Sequence, residues 1–144
     1  MTSPILRSTV AAIAFAGAMA FAAPSMAASM TFKANLDGKS EVPPNDSKAT
    51  GTVTATYDTD SKKLTWKGSY KDLSGAATAA HFHGPAAPGK NAGVLVPIAP
   101  ATSPLEGSAT LTDDQAKALL AGDVYVNVHT AANKGGEIRG QLTK

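Results

Sequence analysis

Apolar and polar residues alternate with a period of two along much of this chain. From Met30 to Leu36, Met30, Phe32, Ala34 and Leu36 fall on one side and Thr31, Lys33 and Asn35 on the other. The stretch TGTVTATYD (50–58) sets Val53, Ala55 and Tyr57 against Thr52, Thr54 and Thr56. In KLTWKGSYK (63–71), Leu64, Trp66 and Tyr70 oppose Lys63, Thr65, Lys67 and Lys71. Successive side chains of an extended strand point to opposite faces, so each stretch predicts a half-buried antiparallel strand with one wet face. Further strands are predicted at Ala76 to His83, Val94 to Ala99, Gly107 to Leu111, Val124 to Thr130 and Glu137 to Thr143, with Gly, Pro, Asn and Asp between them.

One segment has helical signals instead. Thr112 can cap DDQAKALLAG, Gln115 completes a capping box three residues later, and Gly122 can end the helix. Strands about ten residues apart with turn signals between them predict an all-β domain. The expected architecture is an antiparallel, Greek-key-like β-sandwich of about eight strands with one short helix.

The first 27 residues depart from this pattern. Arg7 precedes an apolar, Ala-rich run from Val10 to Ala23, and Ser25 and Ala27 place small residues before Ala28. This is the three-part plan of a secretory signal. The run falls short of the roughly 20 residues a membrane helix needs, and polar sequence follows it. The expectation is a signal peptide over 1–27, one domain over 28–144, no membrane span after cleavage, and a protein exported to the periplasm or secreted.

Composition narrows the chemistry. The chain contains no cysteine, which excludes disulfides, a lipid-acylated anchor, and thiolate metal sites such as blue copper or zinc ribbons. Its 13 Lys and Arg nearly balance 11 Asp and Glu, and no basic block is interleaved with aromatics, so nucleic acid is not an expected partner. No Ser-His-Asp order, phosphate-cradling glycine loop or spaced carboxylate pair points to hydrolysis. Glu41-Val42-Pro43-Pro44 reads as structural, because consecutive prolines hold the backbone extended and end pairing.

The 3 histidines carry the strongest chemical signal. His81 and His83 flank Phe82 near the end of one predicted strand, and alternation puts both opposite Ala80 and Phe82. In Val124 to Thr130, Val124, Val126 and Val128 form the apolar face, leaving Tyr125, Asn127 and His129 on the other. Two imidazoles about 6.6–7 Å apart at Cα can tilt onto one ion, and a third from a neighbouring strand would complete a three-nitrogen site. Copper is the first expectation for such a site and zinc the second. The bland alternative is three surface histidines bonded to loop backbone. The segments AAHFHGPAAPGKNAGVLV and VNVHTAANKGGEIRGQL each run strand, histidine, Ala- and Gly-containing loop, strand, a weak pseudo-repeat that would bring His83 and His129 together. Tyr125 and Asn127 share the face of His129 and either orient an imidazole or make ordinary cross-strand contacts.

Four stretches, FKANLDGKSEVPP (32–44), ATGTVTATYD (49–58), AAHFHGPAAPGKNAGVLV (79–96) and DVYVNVHTAANKGGEIRGQL (123–142), resemble the CHRD family, the domain first described as the chordin repeat and also found in exported bacterial proteins. The resemblance implies an all-β domain whose sandwich is similar to that of copper-zinc superoxide dismutase. It makes copper at His81, His83 and His129 more concrete, with Arg139, the only arginine beyond the signal, as a residue that could steer a small anion such as superoxide. The structural reading of Arg139 is an ion pair with a glutamate, or a guanidinium fork on loop carbonyls that pins the last hairpin. Too few histidines are present for separate copper and zinc sites, so a dismutase would be copper-only. The competing readings are a copper buffer or carrier, and a non-catalytic protein-binding or structural module.

Overall fold

The computed structural model describes residues 28–144. The expected signal peptide over 1–27 lies outside the described residues. The alternation read from the sequence is realised residue by residue. In β1 (Ser29–Asp37), Phe32, Ala34 and Leu36 are buried while Thr31, Lys33 and Asn35 are exposed. In β2 (Thr50–Asp58), Val53, Ala55 and Tyr57 are buried; in β3 (Lys63–Lys71), Leu64 and Trp66 are. The remaining strands are β4 (Ala77–His83), β5 (Val94–Ile98), β6 (Leu105–Thr110), β7 (Tyr125–Thr130) and β8 (Ile138–Gln141).

All eight strands hydrogen-bond in one antiparallel sheet, in the order β5-β4-β7-β8-β1-β2-β3-β6. The sheet curls nearly into a barrel. Trp66 of β3 and Phe82 of β4, near opposite ends of the strand order, meet edge to face with ring centroids 5.1 Å apart. The two layers of the expected sandwich are therefore the two halves of one continuous sheet. Its interior holds Phe32, Leu36, Val53, Phe82, Leu105, Val126, Val128, Ile138 and Leu142, all nearly inaccessible to water. Burying each large apolar side chain contributes about 1.5–3 kcal/mol. Edge strand β6 brings Gly107 flat against the Trp66 indole, where a Cβ would lie 2.5 Å from a ring carbon.

The single helix, α1 (Asp113–Ala121), has the predicted ends. Thr112 Oγ1 accepts the Gln115 N–H, the Gln115 side chain accepts the Thr112 N–H, and Gly122 closes the helix at φ 83°. Asp113 and Asp114 in its first turn complement the helix dipole. The Gln115 amide donates to the Leu95 carbonyl at 2.9 Å, tying α1 to β5.

Unlike β1 to β3, strand β7 is buried on both faces: Tyr125 and Asn127 are as hidden as Val126 and Val128. Two loops fold back over the outer side of β4, β7 and β8. The loop after β1 is tied down by the Asn45 side chain, which donates to the Glu137 carbonyl, and the loop after β4 by Arg139, which reaches Asn91. Beneath these loops lie the buried polar side chains Glu41, His83, Asn127 and Arg139, while Thr130 and Glu137 form a second buried polar group with Ser47 and Ser74.

Candidate metal centre

Strand alternation turns His81 and His83 outward while Ala80 and Phe82 enter the core. Antiparallel pairing of β4 with β7 places Ala79 opposite His129, His81 opposite Asn127 and His83 opposite Tyr125. His129 thus stands diagonally across from His81 on the same face. Ring centroids are 5.3 Å apart for His81 and His83, 5.0 Å for His81 and His129, and 6.1 Å for His83 and His129. One ring nitrogen from each converges so that all three lie within 4.8 Å of one another.

Backbone carbonyls set which nitrogens these are. A carbonyl only accepts, so a ring nitrogen bonded to one carries the proton. His83 donates Nδ1–H to the Ala92 carbonyl at 3.0 Å, and His129 donates Nδ1–H to the Lys134 carbonyl at 2.9 Å. Each neutral ring then keeps its lone pair on Nε2. His83 Nε2 is buried without a hydrogen-bond partner, and His129 Nε2 faces His81 Nδ1 at 3.1 Å. Burial first, then the neighbouring rings, pushes the His81 pKa below the usual 6.5; burial likewise outweighs the bond to Ala92 and lowers that of His83. Both shifts favour the neutral ring, the form that ligates metals.

These residues fit a metal ion. Bonds of about 2.0–2.1 Å to tetrahedrally arranged nitrogens put those nitrogens about 3.3–3.4 Å apart, close to the spacing of the His81 and His129 pair. His83 Nε2, buried without a hydrogen-bond partner, can supply a third lone pair. Second-nitrogen bonds to carbonyls are the usual way a metal-binding imidazole is oriented.

Arg139 shares the outer face but not the cluster. It is 2 % exposed, with one guanidinium nitrogen donating to Asn91 Oδ1 at 2.9 Å and another to the Lys90 carbonyl. Its guanidinium carbon lies 3.4 Å from the centroid of the Tyr125 ring, and the His83 ring stacks on Tyr125 within 5° of parallel. Because β7 runs between β4 and β8, Tyr125 separates the cation from the imidazole.

Two buried carboxyls were not legible as such. Glu41, read only as part of a proline-stiffened turn, is 4 % exposed, and burial raises its pKa to about 7 against the attraction of Arg139. Glu137 is fully buried; burial opposes its charge, yet hydrogen bonds from Ser74, Thr130 and Ser47 together hold its pKa down to about 2. The Ala92 and Lys134 carbonyls were also missed, and no sequence signal could have shown them, since every residue has a carbonyl.

Among the described residues, no helix is long and apolar enough to cross a membrane. Comparison with curated proteins and with solved structures finds no match. The CHRD domain matches over residues 32–142, which runs from within β1 through β8 and includes all three histidines. On that match the chain belongs to the CHRD domain family.

Proposed function

We propose that this is an exported CHRD-domain protein that binds a transition metal through His81 Nδ1, His83 Nε2 and His129 Nε2, copper first and zinc second. The observation that carries the reading is His83 Nε2, a buried acceptor without a partner, aimed into a group whose ring nitrogens all lie within 4.8 Å of one another. Three imidazoles with no thiolate suit copper, which heads the divalent affinity series, and zinc follows. Export is supported by the signal-like pattern of residues 1–27.

A copper ion there would supply one-electron redox chemistry, which supports a superoxide dismutase-like activity as the finer reading. His81 and His129 are only part-buried, leaving the ion an approach from solvent. The part assigned to Arg139 in attracting a small anion rests on its charge alone, since the cleft it lines with Lys39, Glu41 and Gln141 includes none of the three histidines. A copper buffer or carrier would use the same three ligands without turnover. A non-catalytic binding module would use none of them.

Metal titration of the wild type against His81→Ala, His83→Ala and His129→Ala tests the site. Equally weak binding by all four proteins would leave the non-catalytic module. If copper binds tightly, superoxide decay by wild type and Arg139→Ala compared at equal copper occupancy separates enzyme from carrier, and a wild-type rate no faster than that of free copper removes the enzyme.

A further inference from the structure

Of the three histidines, His83 is held by far the most structure. Its ring plane is set by the stack on Tyr125, centroids 4.9 Å apart. Its Nδ1 proton is set by the Ala92 carbonyl, and that carbonyl is itself held by Tyr125: the phenol donates to Ala92 O at 3.3 Å and accepts the Ala92 N–H at 3.2 Å. Two residues earlier in the same loop, the Arg139 fork grips Lys90 O and Asn91 Oδ1, while Asn91 Nδ2 donates to Val42 O at 3.2 Å. Arg139 also lies over the far face of the Tyr125 ring. By contrast His129 rests on one carbonyl, and His81 touches only His129 through its ring nitrogens.

We propose that Tyr125 and Arg139 are positioning residues for His83: together they hold the Ala92 carbonyl and the imidazole plane so that Nε2 offers its lone pair to the cluster. The proposal rests on the metal-binding reading and deepens it. The opposite tautomer would give up the bond to Ala92 and point a proton where a ligand atom is needed. Arg139 acts through the loop and through the ring. It contacts neither His83 nor any group that His83 would bind.

The test has an arm that needs no metal. Nitrogen-15 shifts of the imidazoles in the metal-free protein report which ring nitrogen of His83 is protonated. The wild type is expected to show Nδ1–H alone. Tyr125→Leu and Arg139→Gln are expected to give a mixed tautomer, with His129 unchanged. Tyr125→Phe keeps the stack without the hydroxyl, and Arg139→Lys keeps the charge without the fork; both should lie between wild type and the harsher variants and guard against misfolding. In titration with zinc or copper, affinity should fall about 10-fold in the conservative variants and toward 100-fold in the others, the range found for groups that orient metal ligands. An unchanged His83 tautomer in all four variants, with affinity within about twofold of wild type, would overturn the proposal. If the wild type binds no metal, the metal reading fails, and the tautomer arm still decides whether Tyr125 and Arg139 position His83.

Discussion

His81 Nδ1 and His129 Nε2 face each other at 3.1 Å although 48 residues separate them in the chain. Two rings in this arrangement either share one proton or direct two lone pairs at one ion. On the metal-binding proposal, removing either ring removes a ligand while leaving the core intact. His81→Ala and His129→Ala should each weaken metal binding by more than about 100-fold, beyond the effect of groups that merely orient ligands. Because both are only part-buried, their unfolding free energies should stay within about 1 kcal/mol of wild type. Competition titration against a chelator and urea unfolding measure the two quantities, and unchanged affinity in either variant would remove that residue from the site.

Metal should stabilise the fold by mass action. With free metal at 100 times its dissociation constant, the gain is about 2.7 kcal/mol. In a domain of this size that raises the thermal midpoint by roughly 10 °C. A chelator should reverse the shift, and His83→Ala should show none. A shift that survives His83→Ala would place the stabilising ion elsewhere.

Glu41 makes stability fall as pH rises. Its folded pKa of about 7 exceeds the ordinary 4.5, so between those values the folded state binds more protons than the unfolded. Stability declines across that window and levels off above pH 7, once the carboxylate beside Arg139 is charged in both states. Glu41→Gln should flatten the decline and be more stable than wild type at pH 8 by on the order of 1–3 kcal/mol. Urea unfolding at pH 5 and pH 8 decides, and parallel changes in the two proteins would count against it.

Glu137 has the opposite sign. With a folded pKa of about 2 and an ordinary value of 4.5, its contribution is complete above pH 4.5 and is lost as pH falls toward 2. Glu137→Ala leaves donors on Ser47, Ser74 and Thr130 without their acceptor. The cost at pH 7 should be about 3 kcal/mol or more, with a shallower loss of stability in acid. An acid titration followed by circular dichroism reads both, and a variant as stable as wild type at pH 7 would refute it.

Gly107→Ala probes the curl of the sheet. Its Cβ would meet the Trp66 indole at 2.5 Å, and that indole in turn abuts Phe82 across the core. Overpacking here should cost about 1–3 kcal/mol, with a shift in tryptophan emission. No change in either would mean that the indole has room to move.

Much of the fold was legible because its rules are local. The alternation of Phe32, Ala34 and Leu36 against Thr31, Lys33 and Asn35 identifies a half-wet strand without knowing its neighbours. Thr112, Gln115 and Gly122 mark the helix ends for the same reason. Strand order is non-local. Nothing in the spacing of the histidines shows that β4 pairs with β7, or that Trp66 of β3 curls round to meet Phe82 of β4.

The sequence alone determined that His81, His83 and His129 stand on the faces opposite their apolar partners, because side chains alternate along any strand. Only the tertiary structure decided which ring nitrogens converge. That depends on the Ala92 and Lys134 carbonyls, which belong to loop backbone and leave no trace in residue identity. The structure also decided that Tyr125, Asn127, Glu41 and Arg139 are buried. On a strand considered by itself the outer face is wet; here two loops fold back over it, and burial turns ordinary polar residues into a fixed layer around the histidines.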